Sequence, residues 1–346
     1  TVAETNGGTS VAESGNTDTF TIVLDKGPLT DVVFTITSAD TGEVNVTSTL
    51  TFTSVNWDTP QTVTVTGADD DIIDGTESTE ISIAIDDANS NDSFDSLANQ
   101  SVSVTTTDDD VAGFTVAETG GSTSVAESGN TDTFTVVLNA QPDSDVVFSI
   151  SSGDTGEATV TSTLTFTSAN WDTTQTVTVT GVDDDIIDGT QASSTTISII
   201  DAISDNNFDG VSDQTVSVTT TDDDVAGFTV AETNGGTSVA ESGNTDTFSI
   251  VLNAQPSSDV AFSISSGDTG EATVTSTLTF TSANWDTAQT VTVTGIDDDL
   301  IDGTQSTIMT IAVIDAASDD DFDSVSDQTV SVITTDDDVA GFTIAE

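Results

Sequence analysis

The sequence predicts an all-β fold: tandem immunoglobulin-like antiparallel β-sandwich domains, about seven strands each, arranged end to end. Three observations predict it. Apolar residues alternate with Thr and Ser over short runs, and no helical period appears anywhere. Turn signals separate these runs, so that about seven strands fit into one repeat. The pattern then returns every 114 positions: Glu4, Glu118, Glu232 and Glu346 align without a gap, as do Trp57, Trp171 and Trp285. The expected domains are residues 1–110, 111–224 and 225–338, with 339–346 the start of a fourth repeat. Thr1 corresponds to Thr115, so the chain reads as a window on a longer array.

The middle repeat illustrates the elements in order. Phe114 to Glu118 and Thr123 to Val125 read as one first strand, broken at Gly120-Gly121. Glu127-Ser128-Gly129-Asn130 is a turn. The second strand, from Thr131, has Phe134, Val136 and Leu138 on one face and Thr133 and Thr135 on the other. A loop with Pro142 intervenes before Val146, Phe148 and Ile150 resume the alternation. Ser152-Gly153-Asp154-Thr155-Gly156 is a further turn signal. One long fourth strand is expected next, with Val160, Leu164 and Phe166 inward. After the Trp171 loop, Val177 and Val179 mark a fifth strand, which ends in an acidic loop from Asp183 to Gln191. Ile197 and Ile199 belong to a sixth. Val216 and Val218 belong to a seventh, which runs into Asp222. Trp171 and Phe208 read as core or loop-plugging residues.

The stretch that joins the repeats is Thr221-Asp222-Asp223-Asp224-Val225-Ala226-Gly227-Phe228, which recurs at residues 107–114 and 335–342. Flexible linkers are rich in Gly, Ser and Pro. Three adjacent carboxylates leading into an aromatic strand start read instead as a hinge that a divalent cation makes rigid. Strand parity supports this. If successive strands run up and down, the Glu127 turn, the Asp154 turn, the Asp183–Asp188 tract and the Asp222–Asp224 exit share one pole. Pro142, Trp171 and Phe208 share the other, which the preceding domain's acidic end should cover.

Eight carboxylates then gather at each acidic pole: Glu127, Asp183, Asp184, Asp185, Asp188, Asp222, Asp223 and Asp224 in the second repeat. The corresponding residues are Glu13, Asp69, Asp70, Asp71, Asp74, Asp108, Asp109 and Asp110 in the first. In the third they are Glu241, Asp297, Asp298, Asp299, Asp302, Asp336, Asp337 and Asp338. Two such charges about 6 Å apart repel by roughly 1 to 3 kcal/mol. A hard cation that takes six to eight oxygens in irregular geometry answers that repulsion, which points to Ca²⁺. About two to four ions per interdomain interface are expected. The alternative is an acidic surface adapted to high salt without specific metal. Against it, eight of the nineteen acids between Glu118 and Asp224 fall in the cluster, while the strands are faced with Thr and Ser. The Asp183-x-Asp185-x-x-Asp188-Gly189 spacing is not an EF-hand, because its third acid is one place late and no helices flank it.

Composition excludes much else. The formal net charge is -60, with Lys26 the single basic residue. Nucleic acid and anionic membrane surfaces are therefore excluded as direct partners. Without His or Cys there is no imidazole base, no thiolate nucleophile and no ordinary zinc site, so no enzyme is expected.

With these residues in view, the repeat resembles the Calx-beta domain of sodium-calcium exchangers and bacterial surface proteins. The similarity lies in Val182 to Asp188 after the fifth strand, Asp222 to Phe228 at the domain exit, and Glu127 in the first turn. It covers the whole repeat. The resemblance implies a cluster of Ca²⁺ at the domain end, held by the eight acids named above, with a backbone oxygen at Ile186. It also marks departures. Where the family often has a further acid, the first repeat has Glu77 but the others have Gln191 and Gln305. The family's Gly-rich stretch ending in an acidic and aromatic pair is shortened to residues 152–160, so the loss of one ligand is expected.

The functional expectation is a structural spacer or stalk of a secreted cell-surface adhesin or extracellular filament, of bacterial or archaeal type, stiffened by Ca²⁺ at its hinges. Its expected partners are the neighbouring repeats and other copies of the same chain. Three sandwiches end to end would span roughly 120 Å. The alternative is a Ca²⁺-sensing regulatory module. Binding of carbohydrate through the Pro142, Trp171 and Phe208 pole ranks below both.

Overall fold

The computed structural model describes residues 1–5 and 7–344. Glu346, the last of the aligned glutamates, lies outside the described residues. Each repeat folds into two facing sheets. In the second repeat one sheet runs in the order Phe114–Glu118, Thr131–Leu138, Gln175–Gly181, Ala158–Val160, all antiparallel. The facing sheet runs Thr123–Ala126, Gln214–Thr221, Gln191–Ile199, Val146–Ser152, Thr163–Phe166, with its first pair parallel and the rest antiparallel. The first and third repeats have the same strand order. Among the described residues the only helical segments are three-residue 3-10 turns, and no helix is long and apolar enough to cross a membrane.

The broken first strand is present, and the break has a use. Phe114–Glu118 pairs in one sheet and Thr123–Ala126 in the other, so the chain changes sheet across Gly120 and Gly121, both at positive φ. The expected long fourth strand is in fact two. Ala158–Val160 belongs to the first sheet and Thr163–Phe166 to the second. Among the described residues the two breaks together give nine strands per repeat.

The alternation buries what it should. Phe134, Val136, Leu138, Phe148, Ile150, Val177, Val179, Ile197, Val216 and Val218 form one core, while Val160 and Ile199 are partly buried against it. Phe208 is fully buried in that core and Trp171 packs half-buried on it, as expected of plugging residues. Phe148 stands edge-on to both Phe114 and Phe166, a favourable quadrupole arrangement.

Candidate metal centre

The elements that carry Glu127 are fixed first. Thr123–Ala126 runs parallel to Gln214–Thr221, and the Glu127 N–H donates to the Thr221 carbonyl at 3.1 Å. Ala126 is pressed against Gly181 so closely that a Cβ there would collide with the Ala126 carbonyl. Only glycine permits this approach, and it brings the Glu127 turn beside the start of the acidic loop. Gly67 and Gly295 play the same part against Ala12 and Ala240.

A second device joins the two acidic tracts. Asp222 accepts from Asp224 N–H at 2.7 Å with one oxygen, and from Gly189 N–H at 2.8 Å and Asp188 N–H at 3.1 Å with the other. Asp108 and Asp336 make the corresponding bonds to Asp110 and Gly75, and to Asp338 and Gly303. The predicted site residue at this position thus ties the domain exit to the loop after the fifth long strand. Asp184 likewise folds its own loop, accepting from Ile186 N–H at 2.7 Å.

Against this frame, carboxylate oxygens converge. Oxygens of Glu127, Asp184 and Asp224 lie within 4.8 Å of one another, and so do those of Glu127, Glu157 and Asp188. Glu127 is therefore shared by two groups. In the first repeat Glu13 is shared in the same way, by Asp108 and Asp110 and by Glu43 and Asp74; in the third, Glu241 groups with Asp336 and Asp338. Asp183, Asp185 and Asp223 are exposed. They act on the site through the charge that Asp185, Asp223 and Asp183 place near Asp224. Their counterparts Asp69, Asp71 and Asp109 act in the same way on Asp110, while Asp297, Asp299 and Asp337 act on Asp338. Asp70 and Asp298 fold their loops as Asp184 does, accepting from Ile72 and Leu300 N–H, and burial followed by Asp302 raises Glu271 as burial followed by Asp188 raises Glu157.

Glu157, with its counterparts Glu43 and Glu271, was not among the predicted ligands. It stands in the shortened stretch where a ligand was expected to be lost, and it brings a carboxylate oxygen within 4.8 Å of those of Glu127 and Asp188. Gln191, at the other departure, donates through Nε2 to the Asp188 carbonyl at 2.9 Å, so it braces the loop. Glu77 cannot donate and adds charge beside Asp74 instead.

The electrostatics are those of an acidic cluster whose buried charge has no partner within the protein. Glu127 is 1% exposed, yet neither of its carboxylate oxygens has a hydrogen-bond partner, and the same holds for Glu13. One oxygen each of Glu43, Glu157, Glu241, Glu271, Asp224 and Asp338 is also buried and unpartnered. An uncompensated buried charge of this kind is costly. Burial, followed by Asp222, Asp184, Asp188 and Glu157, pushes Glu127 up to about 7. Burial, followed by Asp108, Asp74, Glu43 and Asp70, pushes Glu13 up to about 7 as well. Asp110 is raised to about 6, chiefly by burial and then by Asp108. The donor set is all oxygen and all anionic, which fits a hard divalent ion.

The acidic pole also meets the next repeat. Gln141 N–H donates to the Asp71 carbonyl at 2.7 Å, and Gln255 N–H to the Asp185 carbonyl at 2.6 Å, each within a parallel bridge formed by Ile72 or Ile186. Ile73 and Ala112 pack on the core of the second repeat, and Ile187 and Ala226 on that of the third. Asn207 Nδ2 donates to the Ile73 carbonyl at 3.1 Å. The pole of Pro142 and Phe208 is thus covered by the preceding acidic loop.

No family model matches this chain, and no curated protein matches it. Among solved structures it is similar to domains 4–9 of the surface layer protein SbsC, at 17% identity and a TM-score of 0.29, covering 97% of this chain and 47% of that one. The chain thus spans about half the length of that fragment. It is also similar to the calcium binding domain CBD12 of CALX1.1, at 15% identity and a TM-score of 0.27, covering 57% and 80%. An I-band fragment of titin matches at 9% identity and a TM-score of 0.27, covering 95% of both chains.

Proposed function

We propose that this chain is a run of structural spacer domains of an extracellular or cell-surface protein, its joints stiffened by Ca²⁺ held at each acidic pole. One observation carries the reading: a carboxylate, Glu127, buried with both oxygens unpartnered and shared between two groups of acids. One ion between Glu127, Asp184 and Asp224 and a second between Glu127, Glu157 and Asp188 would set four positive charges against five carboxylates. The loop they would rigidify is the one hydrogen-bonded to the following repeat, which would couple occupancy to joint stiffness. Extracellular placement suits this reading, since calcium is abundant there and a stalk needs its joints filled at all times.

Calorimetric titration with calcium, on the 346-residue chain and on a variant with Glu13, Glu127 and Glu241 all changed to Gln, tests this. The reading expects saturable binding well below millimolar calcium in the wild type and loss of most of it in the variant. Equal heats from both proteins, or heats abolished by bulk NaCl alone, would favour a solvating acidic surface.

A further inference from the structure

Asn234 is the one non-glycine at positive φ among the described residues, at 58°. It stands where the third repeat changes sheet, between Phe228–Glu232 and Thr237–Ala240. The second repeat makes the same crossover through Gly120, at φ 79°. Glycine enters the left-handed region freely, and asparagine is one of the few other residues that do so routinely. The turn therefore explains why asparagine is tolerated here, and the next residue gives the position its chemistry.

That residue is Gly235, so a carboxamide is followed by a backbone nitrogen with no neighbouring side chain to crowd it. Asn234, Gly235 and Gly236 are all exposed. A Cβ placed on Gly235 would meet nothing within 4 Å, and one on Gly236 only a carboxylate oxygen of Glu232, at 3.8 Å. The hydrogen bonds around the turn join the Thr233 and Thr247 hydroxyls, and the Thr237 hydroxyl to Glu232, and pass the Asn234 carboxamide by. The 3-10 turn Thr233–Gly235 is itself interrupted at Asn234 and has no side-chain cap.

Other asparagines are held in place. Asn130 and Asn244 accept from the Ala126 and Ala240 N–H groups, Asn170 and Asn284 from those of Thr167 and Thr281. Asn139 and Asn253 accept from the Thr115 and Thr229 hydroxyls. Asn45, Asn99 and Asn206 precede Val46, Gln100 and Asn207, whose side chains flank the nitrogen that would have to attack. The sequence repeats the Asn-Gly pair once, at Asn6-Gly7, where Asn6 lies outside the described residues.

We propose that Asn234-Gly235 is a site of spontaneous covalent modification, converting Asn234 to aspartate and isoaspartate through a cyclic imide. The Gly235 nitrogen attacks Cγ of Asn234 and a C–N bond forms. The side-chain nitrogen leaves as ammonia, carrying away the hydrogen that the Gly235 N–H gives up. Water then adds to one of the two imide carbonyls. Opening on one side restores the ordinary main chain with an aspartate, and opening on the other routes the main chain through Cβ. Nothing is oxidised or reduced, and no metal takes part.

The surroundings let the product persist in a folded chain. Phe228–Glu232 is paired with Thr245–Leu252, and Thr237–Ala240 with Gln328–Thr335, so the ladders on both sides hold without the crossover. Aspartate enters the left-handed region as asparagine does. The added methylene of isoaspartate falls in an exposed connection, where extra length is tolerated. Modification thus accumulates with the age of the chain without unfolding the third repeat, while the second, with Gly120, has no group to convert.

The test is peptide mapping of the 346-residue chain after prolonged incubation, folded, at neutral and mildly alkaline pH. Cleavage before aspartate separates the peptide ending at Thr245 from the one ending at Thr17, and fragment ions that distinguish aspartate from isoaspartate read position 234. The expected result is that Asn234 converts ahead of every other described asparagine, faster at the higher pH, to a mixture containing isoaspartate. Gly235→Ala should suppress the conversion by crowding the nitrogen, and Asn234→Asp should melt as the wild type does. Asn234 intact while other described asparagines have converted, conversion in urea but not in the folded chain, or aspartate without isoaspartate overturns the proposal.

Discussion

The backbone N–H of Gln255 donates to the carbonyl of Asp185 at 2.6 Å, joining the acidic loop of the second repeat directly to the third. Asp185 lies in the tract whose neighbour Asp184 reaches the buried carboxylate of Glu127. Anything that draws Asp184 and Glu127 together therefore also fixes the carbonyl to which the next domain is bonded.

The first consequence is a pH dependence with a definite sign. Glu13 and Glu127 titrate near 7 in the folded chain, against 4.5 when unperturbed. A raised carboxyl favours the folded state while protonated. That stability is fully present below the unfolded value and is lost as pH rises through the folded one. In chelator, the melting temperature should fall between pH 5 and about 7 and level off above. In calcium the slope should reverse, because protons compete with the ion for the same oxygens. Melting curves across this range with and without calcium check both signs.

A second prediction concerns the core. Ile81 and Met309 are buried at equivalent positions of the first and third repeats, but the second has Thr195, also buried, with its hydroxyl unpartnered. Thr195→Ile should stabilise the second repeat by about 1–2 kcal/mol, from relief of the unpaired hydroxyl and added apolar burial. Urea denaturation in chelator measures it; no gain, or a loss, would show that the site cannot take the extra methylene.

The joints are not equal. Asn207 donates to the Ile73 carbonyl at the first joint, whereas its counterpart at the second is Asp321. Burial raises Asp321 above the ordinary range, followed by Asp319, Asp320 and, from across the joint, Asp222. Asp321→Asn should restore one hydrogen bond, about 0.5–1.5 kcal/mol. Spin labels at cysteines replacing the exposed Thr165 and Thr279 should then give a narrower distance distribution between the second and third repeats in chelator. An unchanged or broader distribution counts against the role given to this contact.

Strand positions were legible because each core residue keeps its parity, and Phe134, Phe148, Val177 and Val216 are inward as the alternation requires. The sheet change at Thr161-Ser162 was not legible for the same reason. Val160 and Leu164 face one common interior from opposite sheets, so the alternation runs across the change undisturbed. The acidic pole could be placed from parity alone, but its inner and outer acids could not be separated. Asp184 turns inward and Asp183 and Asp185 outward through local backbone geometry that three identical residue types conceal. Glu157 was overlooked because a single acid in a turn carries little signal. Its return as Glu43 and Glu271, each beside a buried residue at the start of a strand, was the available clue.

Small-angle scattering reads whether calcium at these poles stiffens the joints. The 346-residue chain is measured as monomer in millimolar calcium and then in chelator at constant ionic strength. An extended rigid particle is expected with calcium and a flexible one without it. The Glu13, Glu127 and Glu241 to Gln variant should no longer distinguish the two conditions. Identical scattering of the wild type in both conditions would contradict it.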